Sequence, residues 1–428
     1  MNNSGMNTVY FLGIGGIGMS ALARYYQSRG CIVAGYDRTR SPLTEQMEKE
    51  GMAIHYEDNP ILLPAHIDKV IYTPAVPQDL KEIAEIRRRG LPLMKRAEAL
   101  GAISKEHFTI AVAGTHGKTT TTAMVAHILC SCGVDTTAFI GGIANNFGSN
   151  LHLGATDKAT LVVEADEFDR SFLHLDPDIS IVNSIDADHL DIYGDREHLT
   201  QSFNEFAHLT KQCVIVKEGL AIDVPNKKTF GFGDGCDYRA DELNIPLSIP
   251  GRHNQLNATA AFAAATQFGL KPDEIIHALS TFKGVKRRFD VRIRTNSYIY
   301  IDDYAHHPEE IKSCLSAIKT SFPTKRETVV FQPHLFTRTR DFMEDFAKSL
   351  AMADSLILLD IYPAREKPIE GVTSQALLDK IQIEDKCLCT KENLLQTLDD
   401  RRPELLVTMG AGDIDRFVEP IEKLMSQW

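Results

Sequence analysis

The sharpest chemical pattern in these 428 residues is Gly114-Thr115-His116-Gly117-Lys118-Thr119-Thr120, which follows the apolar run FTIAVAG and opens the helical stretch AMVAHIL. Glycines in such a turn let backbone N–H groups approach an anion. A lysine there neutralises β- and γ-phosphates, and a threonine hydroxyl can ligate a divalent cation. The general phosphate-loop pattern keeps four residues between its glycines, and here there are two, so the reading rests on the strand-loop-helix context. It predicts triphosphate binding. A second turn, Gly13-Ile14-Gly15-Gly16-Ile17-Gly18, follows VYFLG and opens the helix MSALARYYQSRG. Asp37 lies at the end of the next apolar run, where a carboxylate can accept from ribose hydroxyls. That turn points to a diphosphate; NAD, any other nucleotide diphosphate and a purely structural tight turn all remain open.

Carboxylates gather where further apolar runs end. Glu164, Asp166, Glu167 and Asp169 follow one, and Asp186, Asp188, His189 and Asp191 follow the next. Hard oxygen donors with one imidazole suit Mg2+ better than zinc. Glu164 stands out because its strand delivers it beside the phosphate loop. Asn254 and Asn257 open an Ala-rich helix at i, i+3, where their amides can read an adenine edge, helix capping being an equal alternative for Asn254. Further polar concentrations are Lys286-Arg287-Arg288, the run from Asp302 and Asp303 through Tyr304 to His306 and His307, Gln332-Pro333-His334, and Arg338-Thr339-Arg340. Arginines in such clusters hold carboxylate or phosphate bidentately.

Parallel sheets are the elements that present strand ends in this way. Apolar β-rich runs alternate with amphipathic helical stretches, and the rhythm restarts near residues 7, 108 and 298, with polar or charged connectors EALGAISKEHF and GVKRRFDVRIRTNSY between. An α/β chain of three domains is expected. Hydrophobic residues at 43% and charged residues at 24% describe a folded globular protein, and the net charge of −12 disfavours nucleic acid or an anionic membrane as partner. Eight cysteines, including the C-x-C pairs Cys130/Cys132 and Cys387/Cys389, match no zinc knuckle and argue against disulfides. The start carries no signal-peptide pattern and no apolar stretch spans a bilayer, so a cytoplasmic protein is expected.

GTHGKTTTT, EADEFDRSFLHLDP, DADHLD, GRHNQLNATAA, GVKRRFD, DDYAHHPEE, FQPHLFTRTRDF and LLDIYPAREKPIEGVTS, in this order over nearly the whole chain, closely resemble the Mur ligases. The DRSFLHL segment and the GIGGIGMSALA start look like the alanine-adding members. The resemblance implies an N-terminal Rossmann-like domain (1–105) for the UDP-sugar, a central P-loop ATPase with a mostly parallel sheet (106–295), and a C-terminal Rossmann-like domain (296–428) that closes over the amino acid. The first glycine turn then serves UDP-N-acetylmuramate, and NAD gives way. The implied chemistry is phosphorylation of the lactyl carboxylate by ATP with Mg2+, then attack of the L-alanine amine on the acyl phosphate, releasing ADP and phosphate in peptidoglycan precursor synthesis. A monomer or weak homodimer is expected, with no nucleic-acid or membrane partner. Two alternatives are a recycling ligase that adds a preformed murein tripeptide, and an NAD-binding regulator or oxidoreductase without ligase chemistry.

Residue by residue, the resemblance places Gly114, Thr115, Gly117, Lys118, Thr119 and Thr120 on ATP, and Thr119, Glu164 and His189 on magnesium. Asn254 and Asn257 match the adenine-side asparagines. Arg288 and Asp303 match residues that engage the nucleotide across the central and C-terminal domains. Tyr304, His306 and Arg338 line the L-alanine and muramoyl carboxylate site, and Gly15, Gly16, Gly18, Asp37 and Thr73 face the UDP-sugar. Lys118, His189, Arg288, Asp303, His306 and Arg338 form the expected catalytic set. Phe203, fourteen residues after His189, stands where later Mur ligases carry a carbamylated lysine, so no carbamate is expected. His334 is followed by Leu335 where members often read PHR, which shifts the carboxylate site toward Arg338.

Overall fold

The computed structural model describes residues 7–186, 193, 195–364 and 366–428. Two compact units divide the chain: Met1–Pro246 with Leu256–Phe282, and Leu247–Gln255 with Lys283–Trp428.

The first unit holds two sheets. β1 (Thr8–Leu12), β2 (Ile32–Tyr36), β3 (Ala53–His55), β4 (Lys69–Tyr72) and β5 (Leu93–Lys95) pair in parallel in the order β3-β2-β1-β4-β5. Every residue of β1 is buried, as a strand covered on both faces requires. Because β2 and β4 flank β1 on opposite sides, the turn after β1 lies at a topological switch point, where parallel sheets bind ligands. The second sheet contains β6 (Thr109–Ala113), β7 (Thr136–Ala144), β8 (Ser149–His152), β9 (Thr160–Glu164), β10 (Ile179–Val182), β11 (Cys213–Lys217), β12 (Lys227–Gly231) and β13 (Tyr238–Arg239). Its order is β13-β12-β11-β10-β6-β9-β7-β8, and of these pairings only β7 with β8 is antiparallel. Here β6 is the switch strand, and Gly114 follows it directly.

Within this unit the helix Ile17–Ser28 packs on β7 and β8. Asn150, buried on β8, donates from Nδ2 to Ile17 O (2.5 Å) and Ser20 Oγ (3.2 Å). One apolar core runs from Phe11 and Leu22 through Phe139 to Phe172, Phe203 and Phe206. Phe203 is fully buried and meets Phe172 edge-on at 5.2 Å, so hydrocarbon packing fills this position. The helix Arg96–Ser104 approaches the segment Phe168–His174 so closely that a Cβ on Gly101 would lie 2.4 Å from His174 O. Gly101→Ala should therefore force these elements apart and lower stability by about 1–3 kcal/mol, measurable as a fall in urea midpoint at unchanged m-value.

The second unit is built on β14 (Asp290–Arg294), β15 (Ile299–Asp303), β16 (Glu327–Phe331), β17 (Ser355–Leu358), β18 (Lys386–Leu388) and β19 (Leu405–Met409), ordered β14-β15-β19-β16-β17-β18. All pairings are parallel except β14 with β15. Alternate residues feed opposite faces: Ile301, Val329 and Leu356 join one core cluster, Tyr300, Val330 and Ile357 the other. The cysteines are all free thiols. Among the described residues no helix is long and apolar enough to cross a membrane.

Candidate active site

The phosphate-loop sequence forms a braced turn. Gly114 (φ +136°) and Gly117 (φ +80°) take conformations that favour glycine, and Gly117 caps the helix Lys118–Ser131. A Cβ on Gly117 would sit 2.5 Å from Asn257 Oδ1 and 3.0 Å from Asn183 Nδ2, so space as well as backbone demands glycine. Ser184, two residues beyond β10, holds the turn from the neighbouring strand. Its Oγ accepts from His116 N (2.8 Å), its carbonyl accepts from Thr115 N (3.1 Å), and the Thr115 and Ser184 hydroxyls lie 2.8 Å apart. Thr119 and Thr120 are buried in the first helical turn.

Lys118 is held inside the turn. Its Nζ donates to Gly114 O (2.6 Å) and to Glu167 Oε1 (2.9 Å), and Glu167 is buried. Burial alone would lower the lysine pKa, but the carboxylates of Glu167, Asp166 and Glu164 outweigh it and hold the ammonium above the ordinary lysine value. Burial pushes the Glu167 carboxyl up, opposed by Lys118. The pair is a buried ion pair, and its ammonium charge is what an incoming phosphate would meet.

Each nearby acid has its own partner. Glu164 Oε2, at the end of β9, accepts from Gly141 N on β7 (2.9 Å). Asp166 accepts from Arg96 Nη2 (3.1 Å), and Asp169 from Lys95 Nζ (3.0 Å). Asp169 (φ +52°) and Arg170 (φ +54°) are consecutive left-handed non-glycine residues, a strained conformation of the kind concentrated at functional sites. A cleft of about 130 Å3 opens here, lined by Ile17, Gly18, Arg96, Gly141, Glu164 and Asp166 among others. At the rim of the first sheet, Gly15 N donates to Asp37 Oδ2 (2.8 Å) and Thr39 N to Asp37 Oδ1 (3.0 Å). Gly16 caps the following helix, and the Thr73 methyl stands 2.9 Å from where a Cβ on Gly13 (φ +81°) would be.

In the second unit a separate cluster forms at the C-terminal ends of β15 and β16. Asp303 accepts from Phe289 N and Ala305 N, each at 2.7 Å. The Arg288 guanidinium lies 4.9 Å from the Tyr304 ring centroid, and Arg287 lies 5.2 Å from it while donating to Asp302 Oδ2 (3.1 Å). His306 packs edge-on to Tyr304 and, at 6.0 Å, to His334, whose Nδ1 lies 3.5 Å from Arg338 Nη1. Burial, with His306 and Arg338 adding to it, lowers the His334 pKa to about 4, so the imidazole is neutral at pH 7.

Family models match three consecutive stretches: the Mur ligase family catalytic domain over residues 8–108, the Mur ligase middle domain over 112–265, and the Mur ligase glutamate ligase domain over 287–412. The chain belongs to the Mur ligase family. It is 46% identical over 459 residues to a UDP-N-acetylmuramate–L-alanine ligase of Cytophaga hutchinsonii, covering 100% of this chain and 98% of that one. With the Flavobacterium psychrophilum enzyme of the same name it shares 47% identity over 452 residues, 100% of both chains. Among solved structures, the UDP-N-acetylmuramate-alanine ligase of Thermotoga maritima matches with a TM-score of 0.82 at 29% identity, over 98% of this chain and 100% of that one. A murein peptide ligase of Psychrobacter arcticus shares the fold, with a TM-score of 0.73 at 23% identity over 99% of each chain.

Within this Mur ligase the expected residues fall into separate groups. Gly114, Thr115, Gly117, Lys118, Thr119, Thr120 and Asn257 meet at the loop, with Glu164 on the adjoining strand. Gly15, Gly16, Gly18, Asp37 and Thr73 surround the first turn. Arg288, Asp303, Tyr304, His306 and Arg338 belong to the second unit. Asn254 is buried on the same helix as Asn257 but belongs by packing to the second unit, and its Nδ2 donates to Pro250 O (2.7 Å). His189 lies outside the described residues. Sequence reasoning left out Arg96, Asn183 and Ser184, and it named Glu167 only as one acid in the run that also holds Glu164.

Burial is the chief reason the Asp303 pKa is raised to about 6, with Arg288 opposing. A carboxyl raised in the folded state binds its proton more tightly there than in the unfolded chain. Its stabilising contribution is full below about pH 4 and is lost as pH rises through about 6. The unmodified chain should gain stability relative to Asp303→Asn as pH falls from 7 to 4, read from denaturation midpoints of both proteins across that range.

Proposed function

We propose that this Mur ligase joins L-alanine to the lactyl carboxylate of UDP-N-acetylmuramate with conversion of ATP to ADP and phosphate, a step of peptidoglycan precursor synthesis. The observation that carries this is identity of 46–47% over the full chain to ligases named for that pair of substrates. A lactyl carboxylate oxygen takes the γ-phosphoryl group as ADP leaves. The amine of L-alanine then attacks the carbonyl carbon, phosphate departs, and the nitrogen gives up its proton. Two anions must meet, so the protein's part is to position them and supply opposing charge.

The loop suits a triphosphate. Its two positive-φ glycines leave no room for a Cβ, its N–H groups open a helix, and its lysine is charged. Thr119 and Glu164 supply the hydroxyl and carboxylate oxygens that a magnesium ion prefers, and with His189 they would hold it. Magnesium so bound would spread the negative charge of the phosphates. Lys118 neutralises the transferred group, and Asn257 stands against the loop where the nucleotide lies. Gly15, Gly16 and Gly18 let the sugar diphosphate approach the backbone, and Asp37 fixes that turn through Gly15 N. In the second unit, Arg338 offers a fork for the L-alanine carboxylate beside His306, and Arg288 and Asp303 serve the nucleotide.

The domain limits near 105 and 295 belong to the same proposal, although the whole of β14, which pairs with β15 in the third sheet, lies ahead of the second limit. So do a cytoplasmic location, a monomer or weak homodimer, and the lack of nucleic-acid or membrane partners, which the charge of −12 supports. Incubation with ATP, magnesium, UDP-N-acetylmuramate and L-alanine should convert the sugar nucleotide to a product heavier by one alanyl residue in mass spectrometry. Unchanged sugar nucleotide would overturn the proposal.

A further inference from the structure

We propose that Arg96 is the guanidinium that grips an anionic group of the sugar nucleotide; this rests on the UDP-sugar assignment above and adds a residue to it. Arg96 begins the helix Arg96–Ser104 directly after edge strand β5, at the same C-terminal end of the parallel strands where the glycine turn follows central strand β1. Its Nη1 stands 2.6 Å from where a Cβ on Gly18 would be, so the guanidinium lies against the glycine-turn helix in space left by a missing side chain. Nη2 reaches across to Asp166 Oδ2 at 3.1 Å. Arg96 therefore spans from the diphosphate turn to the acidic end of β9.

The charge of the cleft gives the second argument. Among its described lining residues Arg96 is the one cation, while Glu164 and Asp166 are both acids. An anionic substrate entering this space meets repulsion from two carboxylates and has a single side chain to pair with. The Arg96 side chain keeps a quarter of its surface exposed, and Asp166 is more than a third exposed. That pair is solvent-screened and contributes little to stability, so a ligand anion can replace Asp166 at modest cost. The planar fork of arginine suits either of two groups on the same ligand, the diphosphate or the lactyl carboxylate.

Full-length Arg96→Ala, Arg96→Lys and Asp166→Asn are compared with the unmodified chain by calorimetric binding of UDP-N-acetylmuramate, of UDP-N-acetylglucosamine, which lacks the lactyl group, and of ATP. Arg96→Ala should weaken UDP-N-acetylmuramate binding about 10- to 100-fold and leave ATP binding within about twofold. Arg96→Lys should recover only part of the loss, because a point charge replaces a fork. Asp166→Asn should bind the sugar nucleotide as tightly or more tightly, since it frees the guanidinium and removes a negative charge. Equal losses for both UDP-sugars assign the grip to the diphosphate, and a loss confined to the lactyl-bearing ligand assigns it to the carboxylate. Undiminished binding by Arg96→Ala overturns the proposal. So does a loss in Asp166→Asn matching that in Arg96→Ala, which would make the pair a structural tie. If Arg96→Ala fails to fold, full binding by Arg96→Lys is the overturning result. Failure of the unmodified chain to bind either UDP-sugar would instead remove the functional assignment, and this proposal with it.

Discussion

Lys118→Ala should lower turnover by about a thousandfold while leaving the affinity for UDP-N-acetylmuramate within a factor of about two. The ammonium is the one charged group held inside the phosphate loop, and its positive charge is maintained by Glu167, Asp166 and Glu164 against the pull of burial. A phosphoryl group moving to a carboxylate gathers negative charge on both sides, and a fixed cation there acts mainly in the transition state. The glycine turn that would receive the sugar diphosphate lies on a different sheet, so its geometry does not depend on Lys118. Glu167, left without its partner, already has a raised pKa and can take up a proton instead of remaining a buried anion. Steady-state kinetics with direct measurement of sugar binding separate the two effects. Equal losses in both would contradict the placement of sugar and triphosphate at different turns.

Glu167→Ala is the complementary change. It removes the carboxylate from a buried ion pair and leaves the ammonium hydrogen-bonded to Gly114 O and Thr115 O, with Asp166 and Glu164 as its remaining negative neighbours. Breaking such a pair from one side costs about 3–5 kcal/mol. Unlike a cavity mutation, this loss has a remedy in the ligand: phosphate oxygens can replace the missing negative charge, so ATP should stabilise the variant more than the unmodified chain. Thermal melts with and without magnesium-ATP test this. The variant should melt lower without nucleotide and show the larger upward shift with it. A shift equal to or smaller than that of the unmodified chain would mean that Glu167 does not balance the lysine charge.

Local structure was legible wherever neighbours in sequence act together. The phosphate loop, the first glycine turn and the acid ending β9 are each consequences of a strand followed by residues that expose backbone or charge at its end. Pairings between distant segments were not legible. Glu167 reads as one acid among several in EADEFD, and only folding places it 2.9 Å from a lysine 49 residues earlier. Arg96 reads as an ordinary basic residue at a helix start until Gly18 and Asp166 are found on either side of it. The i, i+3 spacing of Asn254 and Asn257 suggests a shared task, yet packing divides their helix between two units. Asp37 has the spacing of a ribose acceptor, and the structure adds a local duty, since both its oxygens already accept backbone N–H groups. The segment DVRIR, read as part of a charged connector, is edge strand β14; its charged residues obscure the strand pattern, as edge strands often do.

Magnesium-dependent phosphate release from ATP, measured with UDP-N-acetylmuramate and one amine at a time, tests the central claim most directly. Release should require the sugar nucleotide together with L-alanine, and be absent when a preformed murein tripeptide replaces L-alanine or when NADH replaces the sugar nucleotide. Release with tripeptide only, or with neither amine, would contradict it.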